Sequence, residues 1–178
     1  MAERVDQTRR NFLRGKRLST TGAIRLPWLK SEHDLLEHCN QCGDCITACP
    51  ENIIVLGAGG FPEVKFDRGE CTFCQQCVQS CRLPLFTDLE HDPAWQLDIN
   101  IKETCLAFNR VYCQSCQDCC EPQAIGFSYL SSSIPQPVIS QADCNACGAC
   151  ISVCPQSSIE LVTPQGELGW QERRVTNE

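Results

Sequence analysis

The run "CNQCGDCITACP", residues 39–50, decides how this chain folds. Its cysteines stand as Cys39-x2-Cys42-x2-Cys45-x3-Cys49, with Pro50 directly behind the last. The spacing returns twice, as Cys71-x2-Cys74-x2-Cys77-x3-Cys81 and as Cys144-x2-Cys147-x2-Cys150-x3-Cys154 followed by Pro155. Three thiolates spaced this way in a tight loop suit three irons of one [4Fe–4S] cubane. The fourth cysteine opens the next element and points away, toward a neighbouring cluster, with proline turning the chain. Gly43 and Gly148 follow the second cysteine of their runs, where a missing Cβ lets loop backbone approach inorganic sulfide.

Other cysteine chemistries fit less well. Structural zinc favours two separated Cys-x2-Cys pairs with about 15–20 residues between them. A disulfide framework needs an oxidising compartment and an even count, and this chain has 17 cysteines in 178 residues. Without those cysteines the aliphatic and aromatic supply is thin, and modules this small need a covalent or metal staple. The runs match the bacterial ferredoxin pattern for [4Fe–4S] clusters.

A fourth stretch, "CLAFNRVYCQSCQDCCEP" at 105–122, carries five cysteines in an irregular order. Reading Cys113, Cys116 and Cys119 as the triplet leaves Gln123 where the fourth ligand belongs. Reading Cys113-x2-Cys116-x3-Cys120 as the last three ligands makes Cys105 the first, from eight residues upstream. An internal ruler chooses between them. Five residues beyond the fourth cysteine stand Ile54, Phe86 and Ile159 in the regular runs; five beyond Cys120 stands Ile125, whereas the other register lands on Ser128. An apolar residue there starts the strand that closes over the cluster. The ligands are therefore Cys105, Cys113, Cys116 and Cys120, and Cys119 is a spare, packed thiol. The long Cys105–Cys113 loop leaves a four-iron, a three-iron or an empty site open here, with a fourth [4Fe–4S] cluster as the expectation.

Four runs of one design are an internal repeat. They predict an α+β chain of low secondary-structure content: two tandem bacterial-type 2[4Fe–4S] ferredoxin-like modules, at 35–92 and 93–163. A basic N-terminal arm covers 1–34 and a polar tail 164–178. Each module has a strand leading into the ligand loop, a short helix after the third cysteine and a second strand after the fourth. Alternation in "EVKF" (Val64, Phe66) and "QLDINI" (Leu97, Ile99, Ile101), with "IIVL" and "IELV", marks strands. "GAGGFP" and "SSSIPQP" read as turn-rich connections. A pseudo-two-fold exchange would group Cys39, Cys42 and Cys45 with Cys81, and Cys71, Cys74 and Cys77 with Cys49. In the second module it would group Cys105, Cys113 and Cys116 with Cys154, and Cys144, Cys147 and Cys150 with Cys120. Trp28 and Trp95 are expected to pack against the modules, and His33, His38 and His91 to be solvated.

The formal charge of −7 is unevenly spread. Residues 1–30 carry eight Lys and Arg against Glu3 and Asp6, a balance of +6, and the rest of the chain balances at −13. Each oxidised [4Fe–4S] core with four thiolates adds about −2, so four would bring the total to roughly −15. A nucleic-acid partner is excluded by this acidic body, which repels phosphates, and by the lack of interleaved aromatics. Thr8-Arg9-Arg10-Asn11-Phe12-Leu13-Arg14 has the form of a twin-arginine export signal, but Lys16, Arg17, Arg25 and Lys30 break the apolar stretch such a signal needs. The expectation is a cytoplasmic protein without a transmembrane segment. Nucleotide loops, flavin fingerprints and nucleophile–base pairs are missing, which favours an accessory protein over an enzyme.

The start at Thr8–Arg14, "IRLPW" (24–28), "GAGGFP" (57–62), "ECTFC" (70–74), "AWQL" (94–97), "CLA" (105–107) and "CQDCCEPQAI" (116–125) together resemble the NapF family. These are ferredoxin-type accessory proteins of the periplasmic nitrate reductase system, and the likeness runs from about residue 8 to 162. It implies a protein that binds the precursor of NapA, the molybdenum-containing catalytic subunit, and assists its maturation before export by cofactor assembly or reduction. Arg9, Arg10, Phe12 and Leu13 are then the candidate partner contacts, and a redox donor is a second partner. The alternative is a simple electron-transfer ferredoxin feeding a redox enzyme. Two features depart from the pattern: Arg82 follows Cys81 where proline is expected, and Cys119 lies outside it.

Overall fold

The computed structural model describes residues 23–129 and 133–162. Its elements are short: α1 (Glu32–His38), α2 (Asp44–Ala48), β1 (Ile54–Leu56), β2 (Pro62–Val64), α3 (Gln76–Ser80), β3 (Asp98–Ile101), α4 (Ser115–Asp118), β4 (Ile125–Ser128), β5 (Gln136–Ile139), α5 (Ala149–Ser152) and β6 (Ile159–Val162). A 3-10 turn at Ala58–Gly60 joins β1 to β2. The strands form three antiparallel pairs, β1·β2, β3·β6 and β4·β5. α2 to α5 are one turn each, too short to hold as isolated helices, so their stability comes from their surroundings.

The second half is a complete two-layer module. β3 pairs with β6 from Asp98↔Val162 to Ile101↔Ile159, and β4 pairs with β5 from Ile125↔Ile139 to Ser128↔Gln136. "SSSIPQP", expected as connection only, gives its Gln136 and Pro137 to β5. Proline is tolerated there because among the described residues β5 pairs with β4 alone and lies at a sheet edge. In the first half, Pro62 opens β2, a position where proline does not cost a ladder bond.

The larger departure concerns residues 24–34, expected to belong to the basic arm. They wrap the first module as a strap. Ile24 bridges Val64 of β2, and Leu29 bridges Phe86, five residues beyond Cys81, as Ile101 pairs with Ile159, five beyond Cys154, in the second module. Leu26, Trp28 and Leu29 are buried, each worth about 1.5–3 kcal/mol for the aliphatic side chains. Ile24, Leu26 and Trp28 alternate, which is a strand signal the charge balance of the arm obscured. Ser31 then caps α1, accepting from the Asp34 amide at 2.9 Å, and α1 rather than a strand leads into Cys39.

The two modules share one apolar core, in which Ile53, Ile54, Val64 and Phe66 of the first meet Ile99, Ile125, Ile159 and Leu161 of the second. Trp28 and Trp95 pack as expected. The Trp95 ring stands edge-on to Phe66 at 5.8 Å and to Phe73 at 6.1 Å, and its Nε1–H donates to the Arg25 carbonyl at 2.9 Å. Leu29, Leu35 and Leu85 form a satellite cluster under the strap. His33, His38 and His91 are exposed.

Candidate metal centres

Every regular ligand loop is bent by the same two residues. The second residue after the first cysteine is left-handed in each (Gln41, Phe73 and Ala146, φ 60°, 55° and 59°), as is the one after the second cysteine (Gly43, Gln75 and Gly148, φ 82°, 62° and 83°). The third cysteine, Cys45, Cys77 or Cys150, then sits inside a one-turn helix. Glycine at 43 serves this left-handed turn, with open space where a Cβ would be. At 148 the demand is stronger, because a Cβ would overlap the Phe66 ring.

The irregular stretch obeys the same rules at its C-terminal end. The Cys120 amide donates to the carbonyl three residues back at 3.1 Å, as those of Cys49, Cys81 and Cys154 do. Three residues on, Gln123 is left-handed (φ 55°) and donates to the Cys120 carbonyl, as Asn52 does to Cys49 and Ser157 to Cys154. Ile125 is the first residue of β4, just as Ile54 opens β1 and Ile159 opens β6. At its front end the stretch differs: Cys105–Arg110 form a helical turn closed by Asn109, whose amide donates to the Cys105 and Leu106 carbonyls, with Arg110 left-handed.

The elements bring these cysteines together around four cavities. One is lined by Cys39, Cys42, Cys45 and Cys81, with Leu26, Leu29 and Leu35 of the strap and α1 as its apolar wall. A second is lined by Cys71, Cys74, Cys77 and Cys49. The third holds Cys105, Cys113, Cys116 and Cys154, and the fourth Cys144, Cys147, Cys150 and Cys120. In every case three cysteines from one loop meet the last cysteine of the other loop in the module. Cys119 lines none of the four; its thiol donates to the Cys116 carbonyl at 3.5 Å and it packs at the core's margin.

Burial, with crowding by other thiols, pushes several of the cavity cysteines, among them Cys45, Cys77, Cys116 and Cys150, above the ordinary thiol value. Burial, then Cys39, Cys42 and Cys81, push Cys45 up to about 11. Burial first, then Cys71, Cys49 and Cys74, push Cys77 up to about 12. Burial raises Cys116 to about 11 and Cys150 further still, with neighbouring thiols adding to both. The thiols that act on Cys45 and Cys77 are those of their own cavities, whereas Cys119 and Cys116 add to the effect of Cys147 and Cys144 on Cys150. Thiols such as Cys45, Cys77, Cys116 and Cys150, whose ionisation is opposed until positive charge arrives, suit an iron–sulfur core. Among the described residues no three His, Cys, Asp or Glu converge on a position for a single metal ion.

Arg9, Arg10, Phe12 and Leu13, and with them the twin-arginine-like motif, lie outside the described residues. Among the described residues no helix is long and apolar enough to cross a membrane. Sequence reasoning missed the strap's part in the Cys39 cavity, and it missed the Phe66–Gly148 contact, for which nothing in the local pattern is a signal.

Comparison with known proteins matches residues 38–83 to the 4Fe-4S dicluster domain family and residues 137–160 to the 4Fe-4S binding domain family. The ferredoxin-type protein NapF of Escherichia coli is 44% identical over 156 residues, covering 88% of this chain and 94% of that protein. NapF of Haemophilus influenzae is 41% identical, covering 86% of this chain and 92% of that protein. The methylamine utilization ferredoxin-type protein MauM of Methylobacillus flagellatus is 26% identical, covering 89% of this chain and 75% of that protein. No solved structure matches the chain.

Proposed function

The chain belongs to the NapF family of ferredoxin-type proteins, and from that membership we propose a cytoplasmic accessory protein that assists maturation of NapA, the catalytic subunit of periplasmic nitrate reductase, before its export. The observation that carries the reading is the relationship to NapF across 88% of the chain. In this reading each of the four cavities holds one [4Fe–4S] cluster through the four cysteines that line it. Such a cluster, when bound, accepts and gives up single electrons.

The chain's own residues hold and insulate the sulfurs. Amides of Gln41 and Ser158 donate to the sulfurs of Cys39 and Cys154 at 3.4 and 3.3 Å and so help hold them in place. Leu26, Leu29 and Leu35 keep water from one side of the Cys39 cavity. The role is accessory rather than enzymatic, and the basic arm with Arg9, Arg10, Phe12 and Leu13 is the partner contact in this reading. A redox donor supplies the electrons. The test is capture of purified NapA precursor by anaerobically loaded chain. Selective capture, lost when Arg9 and Arg10 become Ala, supports the proposal; no capture, or equal capture of an unrelated apoprotein, sinks it.

A plain electron carrier is the second reading. It is favoured by MauM, which carries a ferredoxin-type name in methylamine utilization and matches 89% of this chain. Deletion separates the two. Reductase purified from a deletion strain lacks cofactor if the protein is a maturation factor; it is fully loaded but slow in cells if the protein is a carrier.

A further inference from the structure

The modules do not merely follow one another along the chain. The Cys71 amide donates to the Cys147 carbonyl at 2.8 Å, so a ligand loop of one module is bonded directly to a ligand loop of the other. Cys71 lines the second cavity and Cys147 the fourth. Phe66, five residues before Cys71, lies on Gly148, the residue after Cys147, so closely that any side chain at 148 would displace it. Trp95, near the start of the second module, packs edge-on against Phe66 at 5.8 Å. Loops in contact only by chance would not bury a ring on a bare glycine and spend a backbone hydrogen bond on each other.

We propose that this junction makes the chain one redox unit, in which the groups held at the Cys71 and Cys144 cavities are coupled across the module boundary, with Gly148 and Phe66 as the positioning residues that set their separation. The inference rests on the reading of the cavities as cluster sites. The hydrogen bond places only backbone atoms between two ligand cysteines, and the shared core leaves the modules no freedom to drift apart. A chain built as two independent beads would need neither feature. Of the two positioning residues Gly148 is the sharper, since its side chain is absent for a reason visible in the structure.

Magnetic interaction between reduced clusters reads the coupling. The full chain carrying Cys42→Ser and Cys113→Ser removes one ligand from each of the other two cavities. After anaerobic loading it retains about eight irons, two four-iron clusters' worth. Full reduction is expected to give an electron paramagnetic resonance spectrum split and broadened by interaction, unlike the sum of two isolated signals. A simple sum at that iron content overturns the proposal. Should this double variant fail to load, Gly148→Ala in the otherwise unaltered chain decides. A weakened interaction at unchanged iron content, regained when Phe66→Leu is added, supports the inference, and a spectrum identical to that of the unaltered chain overturns it. A wild-type chain that binds no iron would instead overturn the cluster reading itself.

Discussion

Arg25 is 2% exposed and its guanidinium grips Glu32, with Nη2 at 2.6 Å from Oε1 and Nε at 3.0 Å from Oε2. Its Nη1 donates to the Pro62 carbonyl at 3.2 Å, so one side chain ties the first turn of α1 to the start of β2. A buried guanidinium is tolerable when its fork is filled this way. Removing it leaves Glu32 and a carbonyl without their partner.

Arg25→Ala is therefore expected to cost about 2–3 kcal/mol and to loosen the strap. Amide hydrogen exchange should quicken at 24–38 before it does at β3 and β6. Because strap residues wall the Cys39 cavity, iron should be lost there first under chelator. Uniform exchange across both modules would contradict this.

Cys119 and Cys120 are adjacent, and of the two Cys120 alone lines one of the four cavities. Cys119→Ser should keep the full iron content of the unaltered chain, whereas Cys120→Ser should lose about four irons. Iron and sulfide analysis after anaerobic loading checks the pair. Equal losses, or the reverse order, would show that the register of the irregular run is wrong.

Stripping the metal should unfold both modules together. Helices α2 to α5 are single turns, the strand pairs are of three or four residues, and one core spans the two halves. Cluster removal by oxidation and chelation should abolish far-ultraviolet circular dichroism features in one transition, since metal binding and folding are linked here. Two separate transitions, or a metal-free chain with native spectrum, would count against it.

Glu160 receives Lys102 Nζ at 2.6 Å and Asn100 Nδ2 at 2.9 Å across the β3·β6 pair. The Lys102 contact holds its carboxyl below the usual carboxylate value, against an opposing effect of burial that exceeds the help given by Asn100. A depressed acid stabilises the fold above its unfolded value, near 4.3, and that contribution is lost as pH falls through the lower folded value. Glu160→Gln should thus cost less than about 1 kcal/mol at pH 7, because the pair is partly solvated. The gap to the unaltered chain should close in acid. Thermal melts of both proteins at pH 7 and at pH 4 measure it, and a gap that widens in acid would refute the account.

Much of the site was legible along the chain because ligand spacing is a local property. Three thiolates in one tight loop need only the backbone between them, and the apolar residue five beyond the fourth cysteine marked Ile125 as a strand start before any contact was known. The strap was not legible to the same degree. Arg25 and Lys30 gave its segment the charge of a solvated arm, and only packing explains why a guanidinium there is buried on Glu32. Gly148 reads in sequence as a loop glycine; its real neighbour, Phe66, is 82 positions away.

The amino-acid order alone carried the repeat and pointed to the thiols, the register of the irregular run and the exchanged last cysteines that the structure then gathers around four cavities. These follow from short-range geometry, in which a few residues dictate where a sulfur can point. Tertiary structure alone decided that residues 24–38 close the first module, and that the Cys71 and Cys147 loops are bonded across the module boundary. Contacts of that kind join positions far apart in the chain, and they are chosen by how apolar surfaces fill space together, which local pattern does not record.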